Sequence, residues 1–196
     1  MARSIVTVVG MHLDLATLEA GLDEIRRAPA DDGKVELIVR RPVENERETL
    51  TEARIDVDAG LVGDDWLSDD GNPVRQVTLM NARAAALIAR SRDRWPMAGD
   101  QLYVDLDLSG QNLPPGTLLE VGSAVVKVSA EPHRGCKKFA ARFGLDALRF
   151  VNSTAGRALN LRGINARVVQ SGVVRPGDVI RKRPAEPSVA PGQHNS

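Results

Sequence analysis

The chain's apolar positions recur with two periods. Leu15, Leu18, Leu22 and Ile25 fall at helical spacing and predict an amphipathic helix over 14–27, broken by Pro29 and the Asp31-Asp32-Gly33 turn. Val35, Leu37 and Val39 alternate with Glu36, Ile38 and Arg40, a strand with one apolar exception. Ile55 and Val57 suggest a further short strand, and Gly60 to Asp65 a turn leading into a loop. From residue 74 the period is mostly two: Val74, Gln76 and Thr78 against Arg75, Val77 and Leu79. Asn81 stands where an N-cap belongs, ahead of the alanine-rich run 82–90. Leu102, Val104, Leu106 and Leu108 then oppose Tyr103, Asp105 and Asp107. Segments 118–121 and 124–128 flank Gly122-Ser123, a hairpin pattern. Two short helices are expected after residue 136, the second near 146–151, then strands over 164–170 and 173–183 with Ser171-Gly172 turning between them.

Many short strands, close turns and few long helices predict a mainly β protein, a barrel or sandwich. Helices do not alternate regularly with strands, which disfavours a parallel doubly wound sheet. No glycine-rich dinucleotide fingerprint and no phosphate-binding P-loop is present. The reading divides the chain into an N-terminal helix and strand extension, 1–54, packed on a barrel of 55–183, and a proline-rich, polar tail, 184–196, expected to be disordered.

Composition narrows the function. Of 196 residues 42% are hydrophobic but only 3% aromatic, so the core must be built from Val, Leu, Ile and Ala. Lys plus Arg equals Asp plus Glu at 26 each, which argues against nucleic acid as a bulk electrostatic partner. No apolar run approaches the ~20 residues of a membrane span. The first ten residues read as a strand rather than a secretory signal, and a single cysteine offers no internal disulfide. The cytoplasm is the expected compartment.

That cysteine is the centre of the chemistry. Cys136 follows His133, Arg134 and Gly135 and precedes Lys137 and Lys138, cationic neighbours that favour a thiolate, the nucleophilic and metal-ligating form. His133 could serve it as a base, giving a thiol hydrolase if an Asn or Asp orients the imidazole. His-x-x-Cys could also supply two metal ligands, but no second pair exists to close a zinc site. Arg75, Arg142, Arg149, Arg157, Arg162 and Arg167 are spread over the second half, where several could converge on an anion. Asp64, Asp65, Asp100, Asp105 and Asp107 match no EF-hand spacing.

Several short segments share an order that points further. Gly60-Leu-Val-Gly-Asp64, Arg75-Gln-Val-Thr-Leu79, Ala98-Gly-Asp-Gln101, Pro115-Gly-Thr-Leu118, Val121-Gly122, the cysteine after Glu131-Pro132, and Ala166-Arg-Val-Val169 with Val174-Arg-Pro-Gly-Asp178 together resemble the MOSC domain family, in its stand-alone bacterial form. The resemblance implies a MOSC-like β-barrel with a few short helices. It implies a molybdenum cofactor (molybdopterin), which need not survive purification, held with Cys136 as the metal ligand. Arg75, Lys137, Lys138 and Arg162 are the candidates for its phosphate. Cys136 and His133 are the candidate catalytic residues. The implied activity is sulfur carriage or oxo transfer of the kind that reduces N-hydroxylated compounds. The alternative is a non-catalytic module that hands sulfur or cofactor to a partner enzyme. Expected partners are a small-molecule substrate or sulfur donor and an electron-transfer or cofactor-biosynthesis protein, with neither nucleic acid nor membrane. No aminotransferase-like domain is present, so pyridoxal phosphate is not expected. The chain departs from the family pattern at Asp65-Trp66, at Gln101 and at Gly135, where relatives commonly carry Pro before the cysteine.

Overall fold

A computed structural model describes residues 12–69 and 71–184. The strand expected in the first ten residues and the tail beyond Pro184 lie outside the described residues.

Two short helices open it, α1 (Leu15–Ala20) and α2 (Leu22–Arg26), with Asp14 accepting a hydrogen bond from the Thr17 amide at the first N-terminus. They fill the predicted 14–27 helix, interrupted at Gly21, where a Cβ would sit 2.6 Å from Leu87 Cδ2. β1 (Gly33–Arg40), β2 (Glu48–Leu50), β3 (Ala53–Asp56) and β4 (Gly60–Leu61) follow, then α3 (Trp66–Asp69). The strand expected from residue 74 begins later, as β5 (Val77–Asn81), because Pro73 and the Asn72 cap turn 73–75 into a 3-10 turn. α4 (Ala82–Ala89) is capped by Asn81, as its position predicts, and a 3-10 segment over 92–98 leads to β6 (Leu102–Asp105). β7 (Leu118–Val121) and β8 (Ala124–Val128) form the expected hairpin. α5 (Lys137–Phe143), α6 (Leu145–Asn152) and α7 (Thr154–Ala158) precede β9 (Ile164–Gln170), β10 (Gly172–Val174) and β11 (Val179–Lys182). The strand predicted over 173–183 is thus two strands in two sheets. Pro176 has no amide to donate, and the Asp178 carboxylate accepts from the Arg175 amide to fix a turn between them.

The main sheet runs β11-β7-β8-β9-β5-β6-β1 and closes through a β1–β11 pairing, giving a seven-stranded barrel with β2 hung on β1; β10, β3 and β4 form a smaller sheet. Every barrel pairing is antiparallel except β5–β6, whose parallel register requires a crossover, supplied by α4 and the 3-10 segment. β1 is therefore itself a stave of the barrel, although it lies in the first 54 residues.

The apolar exception at Ile38 has a local cause. A register shift between Val35 and Leu37 puts Val35 and Ile38 inside the barrel, while Leu37 and Val39 turn outward beneath the helices. Two cores result. One fills the barrel with Val, Leu and Ile; the other lies between barrel and helices and holds Tyr103, Phe139, Phe143 and Phe150. Among the described residues no helix is long and apolar enough to cross a membrane.

Candidate functional site

β8 ends at Val128, and a loop carries the chain to α5 with Cys136 as its last residue. Cys136 is extended (φ −125°), its carbonyl accepts from the Ala140 amide at 3.0 Å, and its side chain is exposed. The preceding residue is clamped. The Asn152 side chain accepts from the Gly135 amide at 3.2 Å and donates to the Gly135 carbonyl at 3.1 Å. A Cβ at Gly135 would lie 2.8 Å from both Leu148 Cδ1 and Val151 Cγ2, so the loop lies flush on α6. This is the reason the position before the cysteine is glycine here. Asn152→Ala removes both restraints, and amide hydrogen exchange at Gly135 and Cys136 is expected to accelerate several-fold with the rest of the protein unchanged.

Cys136 lines a cavity of about 600 Å³. Arg41, Arg47, Lys138, Arg142 and Arg162 line it as well, against Glu44 and Asp65 as the carboxylates among the described residues. Three of these cations are engaged. Arg41 donates to Asp64 through Nε (3.0 Å) and Nη2 (2.5 Å), Arg162 donates to Asp100 through Nη1 (2.5 Å), and Lys138 pairs with Glu44. Arg47 and Arg142 differ. Their side-chain hydrogen bonds go only to the carbonyls of Glu46 and Met97, and among the described residues neither makes an ion pair. Both guanidiniums reach over Gly99 (φ +93°), where a Cβ would lie 3.7 Å from Arg142 Nη1 and 4.0 Å from Arg47 Nη2. Burial, then the charges of Arg142 and Arg41, pull Arg47 below its ordinary pKa, the mark of a like-charge cluster. Its Nε is buried without a partner among the described residues.

A polar network supports this wall. Asp64 has no exposed side-chain surface; it accepts from Arg41, from the Arg41 and Trp66 amides, and from Gln101 Nε2 at 3.2 Å. Gln101 in turn accepts from the Thr78 amide and hydroxyl. Gln101 thus ties β5 to the Gly60–Asp64 turn. Burial tends to lower Arg41, but Asp64, Asp65 and Asp100 together leave it above its ordinary pKa.

His133 lines a different, smaller cavity of about 70 Å³. Its Nδ1 lies 3.4 Å from Asp100 Oδ1. Burial, then the nearby Arg162, Arg41 and Arg75, hold its pKa well below 6.5, while burial raises Asp100 against the pull of Arg162. The unfolded imidazole takes a proton as pH falls below about 6.5 and the folded one resists it. Stability is therefore expected to fall as pH drops through that point, and His133→Gln to flatten the dependence, read from urea midpoints between pH 8 and 5.

The sequence-predicted residues distribute as follows. Cys136, Lys138 and Arg162 line the large cavity; Lys137 is exposed outside its wall; Arg75 sits in the 3-10 turn before β5, near enough to act electrostatically on His133. Of the six dispersed arginines, Arg142 and Arg162 reach the cavity, Arg157 lines the smaller one, and Arg149 pairs with Asp146. Arg41 and Arg47 were not anticipated. The one sequence signal for Arg41 is an Arg40-Arg41-Pro42 strand end, and Arg47 has none. Among the described residues no group of three His, Cys, Asp or Glu is placed to hold a metal ion. Asp105 instead pairs with Arg83, and Asp107 accepts from Ser109.

Comparison with known proteins gives a consistent outcome. A family model described as the MOSC domain matches residues 68–181. A crystal structure titled only as a hypothetical protein is similar with a TM-score of 0.57 and 19% identity, over 78% of this chain and 68% of that one. The YuaD protein from Bacillus subtilis is similar with a TM-score of 0.56 and 17% identity, over 76% and 93%. YiiM from Escherichia coli is similar with a TM-score of 0.54 and 17% identity, over 78% and 71%. No curated protein matches the chain.

Proposed function

Because this chain belongs to the MOSC domain family, we propose that it binds the molybdenum cofactor in the Cys136 cavity and acts there in oxo transfer to a small molecule. The observation that carries this reading is the pair of guanidiniums, Arg47 and Arg142, facing a thiol-bearing cavity with no carboxylate of their own among the described residues. The donor set fits the group. Thiolate suits a soft metal, and guanidinium suits the oxygens of a phosphate. Among the described residues two buried Nε atoms, of Arg47 and Arg162, still lack a partner.

Cys136 would hold the metal, its thiol giving up a proton on coordination. Arg47, Arg142 and Arg162 would hold the phosphate. When bound, the cofactor supplies oxo transfer at molybdenum. The chain's part is to orient it. Arg41 is locked by Asp64, and the Cys136 loop is pinned by Asn152, so thiol and cations are presented on a fixed wall.

Molybdenum and released pterin, measured per chain in freshly purified protein, test this. Wild type is expected to carry both. Cys136→Ala removes one anchor of the cofactor and is expected to lower molybdenum and pterin together. Equal molybdenum in the two proteins would overturn the ligand role. The exposure of Cys136 favours one second reading, a carrier module that takes sulfane sulfur as a persulfide for a partner enzyme. It predicts cyanide-releasable sulfur on wild type, none on Cys136→Ala, and no molybdenum on either.

A further inference from the structure

The loop bearing Cys136 straddles a buried ion pair. His133, three residues before the cysteine, faces Asp100 Oδ1 at 3.4 Å. Phe139, three residues after it, lies under the Arg162 guanidinium, 5.3 Å from its ring centre. Between them Arg162 donates to Asp100 Oδ2 and, at 2.8 Å, to the Ala98 carbonyl. The Arg162 side chain is 9% exposed and that of Asp100 not at all. Arg162 is the one charged residue in the linings of both the large and the small cavity.

The room for this arrangement is made by the next residue. Gly163 has φ +110°, and a Cβ there would sit 2.4 Å from the Leu79 carbonyl oxygen, 3.2 Å from Asp100 Oδ1 and 3.3 Å from His133 Nδ1. Asp100 Oδ1 and His133 Nδ1 are both buried and, among the described residues, have no other partner. Each can satisfy the other if the ring proton sits on Nδ1, where it points at the carboxylate. Arg162 Nε is the third buried polar atom of this cluster without a hydrogen-bond partner among the described residues, a donor left over on a residue of the cavity wall.

We infer that Asp100 and His133 are positioning residues that lock Arg162 into the wall of the Cys136 cavity and so set the positive charge facing the sulfur. Asp100 fixes the guanidinium through one oxygen. His133 fixes Asp100 through the other, and because His133 and Phe139 belong to the cysteine's own segment, the loop and the charge are held in one register. His133 acts here through Asp100 rather than as a base on the thiol. This inference rests on the reading of the cavity as an anion site.

The test is alkylation of the single thiol by two probes of equal reach, anionic iodoacetate and neutral iodoacetamide, on full-length protein without added cofactor. The ratio of the two rate constants reads the charge near the sulfur and cancels its accessibility. His133→Leu, which removes the group facing Asp100 Oδ1 without changing the formal charge of the cluster, is expected to lower that ratio about three-fold, the size of effect expected when one partly buried charge shifts by a few ångströms. His133→Gln, which keeps a donor toward Asp100, is expected to restore it. Asp100→Asn deletes a negative charge, which alone raises the ratio, so a fall in that variant marks release of Arg162 from the wall. Equal ratios in His133→Leu and His133→Gln, or a raised ratio in folded Asp100→Asn, would overturn the assignment. Molybdenum retained with an unshifted ratio sinks the positioning role alone; a shifted ratio with no molybdenum in the wild type sinks the cofactor reading alone.

Discussion

Reversing the two cavity arginines, Arg47→Glu with Arg142→Glu, is expected to weaken binding of inorganic pyrophosphate, used as a probe of the site, about a hundred-fold, or roughly 2.7 kcal/mol. A hydrogen bond to a charged group contributes about 1.5–3 kcal/mol, and both guanidiniums are lost. The magnitude is held down because Arg41, Lys138 and Arg162 still line the wall. Folding should survive. In the free protein the two guanidiniums sit beside Arg41, and no carboxylate is orphaned when they go. Isothermal titration at low and high salt checks this, and the wild-type affinity should fall with salt while that of the double variant barely responds. Wild-type strength in the double variant would remove the anion site from the account.

Asp64→Ala is expected to cost about 3 kcal/mol of folding stability, near the low end of the range for breaking a buried pair, because Arg41 keeps 20% of its side chain exposed. The carboxylate has no exposed surface, and its loss strands the Arg41 guanidinium, the Arg41 and Trp66 amides and Gln101 Nε2 together. Asp64→Asn keeps an acceptor and should cost less. Urea unfolding gives both values, and a loss below about 1 kcal/mol for alanine would mean the network relaxes onto water.

Much of the fold was legible along the chain because a half-buried strand alternates and a capped helix announces its start. The 118–128 hairpin, the Asn81 cap and the 102–108 alternation all appear where their residues predict. The misread places have different causes. Ile38 looked like an exception until the shift in β1 put it inside the barrel. The 173–183 run looked continuous because its Pro-Gly-Asp turn is short and bordered by valines on both sides. α7 was not foreseen, since Gly156 within it weakens a helical pattern; the glycine is required because a Cβ there would meet the Phe150 carbonyl oxygen at 2.2 Å.

The sequence by itself determined a strand-rich barrel or sandwich and singled out Cys136, since period-two alternation and an isolated thiol among cations are local properties of the chain. Only the tertiary structure decided which charges the thiol meets. β1 pairs with β6 and β11 to close the barrel, and that closure carries the segment just after it to the cysteine, so that Lys138 reaches Glu44 across 94 residues and Arg41 and Arg47 share Cys136's cavity. It also turned His133 toward Asp100, because desolvation makes a buried imidazole and a buried carboxylate each other's best available partner.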